Sequence, residues 1–139
     1  MARWDAPVGP KVKINFDAAY NMYRKESYSR LVVRNEKAKI ICSKSVRNAN
    51  IPSVFVAEVM ACVQALDLGI HIGLRDVIVE GDSRTVIKKL QEEGDDRSEM
   101  EAYIKDLKYR SLSFRHCDFH FISKDANKVA HCIATEGNF

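Results

Sequence analysis

Residues 76–90 read DVIVEGDSRTVIKKL, a short apolar run that passes through Gly81, Asp82 and Ser83 into an amphipathic segment. Val77, Ile78 and Val79 are consecutive, the pattern of a strand covered on both faces in a sheet interior rather than at an edge. Beyond Ser83, the residues Val86, Ile87 and Leu90 share one face of a helix. A buried strand that feeds a helix calls for an α/β arrangement, with helices packed on a sheet.

Reading outward from there, Ile51-Pro52-Ser53 marks a boundary, with Ser53 placed to cap the helix VFVAEVMACVQAL behind it. Gly69 and Gly73 punctuate that helix's end. Before the boundary lie three β-rich runs, Val12 to Tyr20, Ser27 to Asn35 and Lys39 to Val46. In the first, Val12, Ile14 and Phe16 alternate with Lys13, Asn15 and Asp17, a period of two. Short charged turns at Met22–Glu26 and Glu36–Ala38 make an antiparallel meander of the three. After the second helix, EGDDRSE reads as a polar loop. A helix from about Glu99 to Leu112 follows, with Tyr103, Ile104 and Leu107 as its apolar stripe. Phe114 to Ile122 alternates as a strand, and Asp125 is placed to cap a last helix reaching Thr135. The order β-β-β-α-β-α-α-β-α implies a mixed sheet flanked by helices. Residues 1–11, with Trp4, read as a lead-in, and 12–137 as one domain of the 139-residue chain.

Hydrophobic residues make up 46% and charged residues 29%, a globular composition rather than a disordered one. No apolar run approaches the ~18 residues of a membrane span, and no signal-peptide pattern opens the chain. An intracellular protein without membrane contact is expected. Cys42, Cys62, Cys117 and Cys132 are widely spaced with no C-x-x-C pair, which favours reduced structural thiols over disulfides. The pairs His116/Cys117 and His131/Cys132 hint at zinc, but neighbours on a strand point to opposite faces and rarely share an ion. Net charge is +3, divided unevenly: residues 1–50 carry +7 and residues 51–139 carry −4. A basic half suits a phosphate backbone and an acidic half suits cations, although a solvated surface explains the same numbers.

Three carboxylates stand out. Asp17 lies near the end of the first strand. Glu58 is the only charged residue between Arg47 and Asp67, on a helical stripe with Val54, Ala61, Cys62 and Ala65. Asp82 stands at the turn from an apolar strand into a helix. A carboxylate on an apolar face is costly unless paired, and three can share that cost around metal cations. Each also has a plainer reading: Asp82 as a helix N-cap, Asp17 as a strand end or partner of a lysine, Glu58 in a buried pair with an arginine.

The motifs INFDAAY, VVRN, FVAEVMACVQALDLGI, VIVEGDSRTVIKKL and FISKDANKVAHCIA together resemble the plant RNase H-like domain found alone and in retroelement reverse-transcriptase-like proteins. The resemblance runs from about Trp4 to Gly137, in the family order. It implies a five-stranded sheet of order 3-2-1-4-5 and an endonuclease that cuts the RNA strand of RNA/DNA hybrids with two Mg²⁺ or Mn²⁺ ions. Asp17, Glu58 and Asp82 match the family's metal-binding acids. The fourth acid of the N-x-x-A-D motif is replaced by His131, within Asn127-Lys128-Val129-Ala130-His131. Histidine suits Mn²⁺ better than Mg²⁺. Lys13, Asn15, Arg30, Ser83 and Asn127 are the expected nucleic-acid contacts, with Lys11, Arg24, Lys25 and Arg34 as further basic candidates. Arg30 and Ala38 stand where the family has glycine and Lys124 where it has arginine, which leaves open a nucleic-acid-binding or interaction module with weak or no turnover.

Overall fold

The structure is a computed structural model and describes residues 11–92 and 100–127. The lead-in with Trp4, the EGDDRSE loop and everything beyond Asn127, His131 included, lie outside the described residues. Strands β1 (Val12–Asn21), β2 (Glu26–Arg34) and β3 (Ile40–Asn48) form the expected meander. They are followed by α1 (Val54–His71), β4 (Asp76–Gly81), α2 (Arg84–Gln91), α3 (Glu101–Ser111) and β5 (His116–Phe121). Residues 124–127 make a further helical turn. The five strands form one sheet in the order β3-β2-β1-β4-β5. β2 pairs antiparallel with β1 and with β3, whereas β4 pairs parallel with β1 and with β5.

Asparagines build both hairpin turns. Asn21 Oδ1 accepts from the amides of Tyr23 at 3.0 Å and Arg24 at 3.2 Å, and Lys25 then takes a left-handed φ of 53°. Asn35 Oδ1 accepts from Lys37 at 2.9 Å and Lys39 at 3.0 Å, with Ala38 left-handed at φ 61°. The first turn is also tied down, because Ile51 N–H donates to the Lys25 carbonyl at 2.8 Å and Tyr20 Oη donates to the Ile51 carbonyl at 2.8 Å.

Ser53 caps α1 as expected, its Oγ accepting from Val56 N–H at 3.2 Å. At 18 residues and a mean hydropathy of 1.5, α1 is longer and more apolar than the sequence reading allowed, enough by composition to cross a membrane. The reason is its place in the core: Ala57, Val59, Ala61, Cys62, Ala65, Leu66 and Gly69 are all buried. Gly69 does not end the helix. A Cβ there would come within 2.7 Å of Ile14 Cδ1 and 3.0 Å of the Phe114 ring, so glycine lets the helix approach β1. Val77 and Val79 of β4 are fully buried, as an interior strand requires. In α3 the buried residues are Ile104 and Leu107, while Tyr103 is 41% exposed and packs edge-on against Phe55. Ser123, not Asp125, caps the last helical turn, its Oγ accepting from Ala126 N–H at 3.1 Å. Cys42, Cys62 and Cys117 are free thiols, and burial pushes Cys117 up to about 12 and Cys62 higher still.

Candidate carboxylate site

Because β1 and β4 run parallel, their C-terminal ends come out at the same edge of the sheet. Asp17 stands one residue beyond Phe16 and Asp82 one residue beyond Gly81, and Phe16 and Gly81 are the last paired rung. α1 carries Glu58 in its second turn. Three elements thus deliver one carboxylate each.

Three of the plainer readings do not hold, whereas a lysine, Lys124, does act on Asp17. β1 continues four residues past Asp17, so Asp17 does not end the strand. The cap of α2 is Ser83 and not Asp82: Ser83 Oγ accepts from Val86 N–H at 3.3 Å. The same hydroxyl donates to Glu58 Oε2, so Glu58 has a serine partner rather than an arginine. One side chain therefore starts α2 and orients the α1 carboxylate.

Electrostatics shows the convergence. Burial raises the pKa of Asp17, the negative charge of Asp82 raises it further, and the Ala18 amide, Arg30 and Lys124 oppose the rise. Burial likewise raises Glu58; the Ser83 hydrogen bond opposes it, Asp82 and Asp17 add to it, and Lys124 opposes. Asp82 thus acts on both other acids, and Asp17 and Glu58 are harder to ionise for it. Among the described residues, no group of three or more His, Cys, Asp or Glu side chains is placed to hold a metal ion as it stands. The three acids make a half-buried rim of oxygen donors. That donor chemistry fits Mg²⁺ or Mn²⁺, hard cations that keep several waters and take few protein ligands. A divalent charge at the rim would also relieve the repulsion that raises Asp17 and Glu58.

The other expected contacts are scattered. Arg30 is exposed and lies directly across from Asp17 in the β1–β2 ladder, beside the site. Lys13 turns to Glu80 at 3.8 Å and Lys11 to Asp118 at 3.1 Å, both nearer the start of β1 than Asp17. Ser83 is 5% exposed, with its hydroxyl committed as described. Asn15 is 1% exposed, and its side-chain nitrogen and oxygen lack hydrogen-bond partners. Asn127 is 1% exposed and its Nδ2 donates to the Phe16 carbonyl at 3.2 Å. Sequence reasoning passed over Arg84, whose guanidinium lies 4.9 Å from the centroid of the Phe121 ring. A cation directly after the Gly-Asp-Ser turn was the available signal.

A five-stranded mixed sheet of this order, with its helices and with acids just past the last rung shared by β1 and β4, is the architecture of an RNase H-like domain. The chain belongs to the reverse transcriptase-like family, whose model matches residues 15–137. No curated protein matches it significantly. Among solved structures it is similar to LC11-RNase H1, isolated from compost and solved in complex with an RNA/DNA hybrid, at 19% identity and a TM-score of 0.74 over 87% of this chain and 91% of that one. RNase H1 of the halophilic archaeon Halobacterium salinarum is 20% identical, with a TM-score of 0.67 over 85% and 89%. The N-terminal RNase H domain of a Mycobacterium tuberculosis protein is 16% identical, with a TM-score of 0.72 over 94% and 100%. At these identities the likeness carries the fold.

Proposed function

We propose that this chain is a metal-dependent endonuclease that hydrolyses the RNA strand of RNA/DNA hybrids. The observation that carries the reading is the convergence of Asp17, Glu58 and Asp82 at one edge of the sheet, with Asp82 close enough to oppose the ionisation of both Asp17 and Glu58. The hybrid bound by LC11-RNase H1, a protein of the same fold, supports the substrate class.

In this reading Asp17, Glu58 and Asp82 hold two divalent cations, joined by His131 in the segment beyond Asn127. Bound there, such ions would supply activation of a water for attack on phosphorus and charge stabilisation of the departing oxygen. Ser83 keeps Glu58 in one orientation, and burial of the rim limits the water that competes for the carboxylates. Arg30 and Arg84 flank the site as phosphate contacts.

A second reading has a specific observation behind it. Arg30 and Lys124 both stand near enough to Asp17 to favour its ionised form, so protein cations partly neutralise the site. That suits an RNase H-like module that grips nucleic acid with little turnover. Cleavage of a strand-labelled hybrid in Mg²⁺ and separately in Mn²⁺, with Asp17→Asn as control, decides between them. RNA-strand cutting by the wild type alone establishes the nuclease; tight hybrid binding without cutting in either metal establishes the module.

A further inference from the structure

The β1–β4 ladder runs from Val12 opposite Val77 to Phe16 opposite Gly81 and stops. Asp17 follows Phe16 in β1 and Asp82 follows the last residue of β4, so no β1–β4 pairing sets the distance between their backbones. The segment after β5 binds both strands here, β4 through a continuation of the β4–β5 ladder and β1 through a side chain. Ile122 N–H donates to the Gly81 carbonyl at 3.0 Å, and Asn127 Nδ2 donates to the Phe16 carbonyl at 3.2 Å. The stretch 122–127 thereby binds both members of the last rung, one through its backbone and one through a side chain. It is itself held, since Asn127 N–H donates to the Ser123 carbonyl at 2.9 Å. Little slack remains beneath it: a Cβ on Gly81 would fall 2.5 Å from the Phe16 ring. At 1% exposure, Asn127 has no access to a ligand of its own.

We propose that Asn127 is a positioning residue that closes the open end of the β1–β4 ladder and so fixes Asp17 relative to Asp82 for cation binding. It resembles the outer partners that hold metal ligands in place, whose loss commonly lowers metal affinity about 10- to 100-fold. The role rests on the carboxylates being the cation site proposed above.

The test compares wild type with Asn127→Leu, similar in size but without a donor, by two readouts. One is Mn²⁺ affinity by calorimetry; the other is amide hydrogen exchange along the strands. Should the leucine variant not fold, Asn127→Ser, too short to reach Phe16, serves in its place. The expected result is a loss of Mn²⁺ affinity of about tenfold, with faster exchange at the ends of β1 and β4 and unchanged exchange between β2 and β3. Unchanged Mn²⁺ affinity in the variant, against clear binding by wild type, overturns the positioning role alone, whatever the exchange shows. Failure of the wild type to bind Mn²⁺ overturns the metal reading of the site and this role with it.

Discussion

Ala38 occupies a conformation in which a side chain is a burden. Its φ of 61° brings Cβ against the following carbonyl, a cost of roughly 1–2 kcal/mol that glycine avoids. Ala38→Gly is expected to stabilise the protein by about 0.5–1 kcal/mol, once the greater freedom of glycine in the unfolded chain is set against the relief. Urea unfolding measures this, and an unchanged or lower midpoint would contradict it. The acids of the site carry a burden of another kind. Asp17 and Glu58 have folded pKa values above 3.8 and 4.5, chiefly through burial, so their ionised forms oppose folding. The penalty is absent below those values and complete once pH has passed the folded pKa. Asp17→Asn and Glu58→Gln should therefore raise the stability of the metal-free protein at pH 7, by about the 0.5–2 kcal/mol usual for stabilising changes. The gain should vanish below about pH 4, and melting curves with chelator across that range would show whether it does.

At the scale of elements, Arg115 joins the start of β5 to the start of β4. Its Nε donates to Asp76 Oδ1 at 3.0 Å and its Nη2 to Asp76 Oδ2, a two-pronged bond at the end of the sheet opposite the carboxylates. The arginine hydrogen bond is the main reason that the Asp76 pKa lies below 3.8. A depressed carboxyl stabilises the fold above its unfolded pKa and ceases to as pH falls through the folded one. Asp76→Asn should thus melt several degrees lower than wild type at pH 7, and the two curves should converge below about pH 3. A difference that persists in acid would mean that packing, not charge, is what the aspartate supplies. The strands and helices themselves were legible in the sequence, because Ile14 and Phe16 keep a period of two and Val86, Ile87 and Leu90 a helical one. The carboxylates were legible as candidates because an acid within VFVAEVMA has no local excuse, and the family resemblance then grouped them. Gly69 inside a helix, Ser83 in place of Asp82 as a cap, and Asn127 on the Phe16 carbonyl were not. Each of those depends on what a distant element brings alongside, which local periodicity does not encode.

Across the whole molecule, the excess of positive charge falls in the meander half, at +7 for residues 1–50. Arg24, Lys25 and Arg30 are exposed there, and Arg30 is beside Asp17. If this half grips a phosphate backbone through about four contacts, raising salt from 50 to 200 mM should weaken hybrid binding on the order of 100-fold. Fluorescence anisotropy at several salt concentrations reads the slope directly, and a flat one would remove the electrostatic part of the functional reading.

The same meander ends in β3, a nine-residue strand with no neighbour on its outer side among the described residues. Bare strand edges invite other chains to zip on and start aggregates. Here the sequence from Lys37 to Ala57 contains no acid, while Lys37, Lys39, Lys44 and Arg47 are all exposed. Arg47 is held by Glu26, but two copies meeting edge to edge would still bring Lys37, Lys39 and Lys44 against their like, a repulsion that opposes polymerisation.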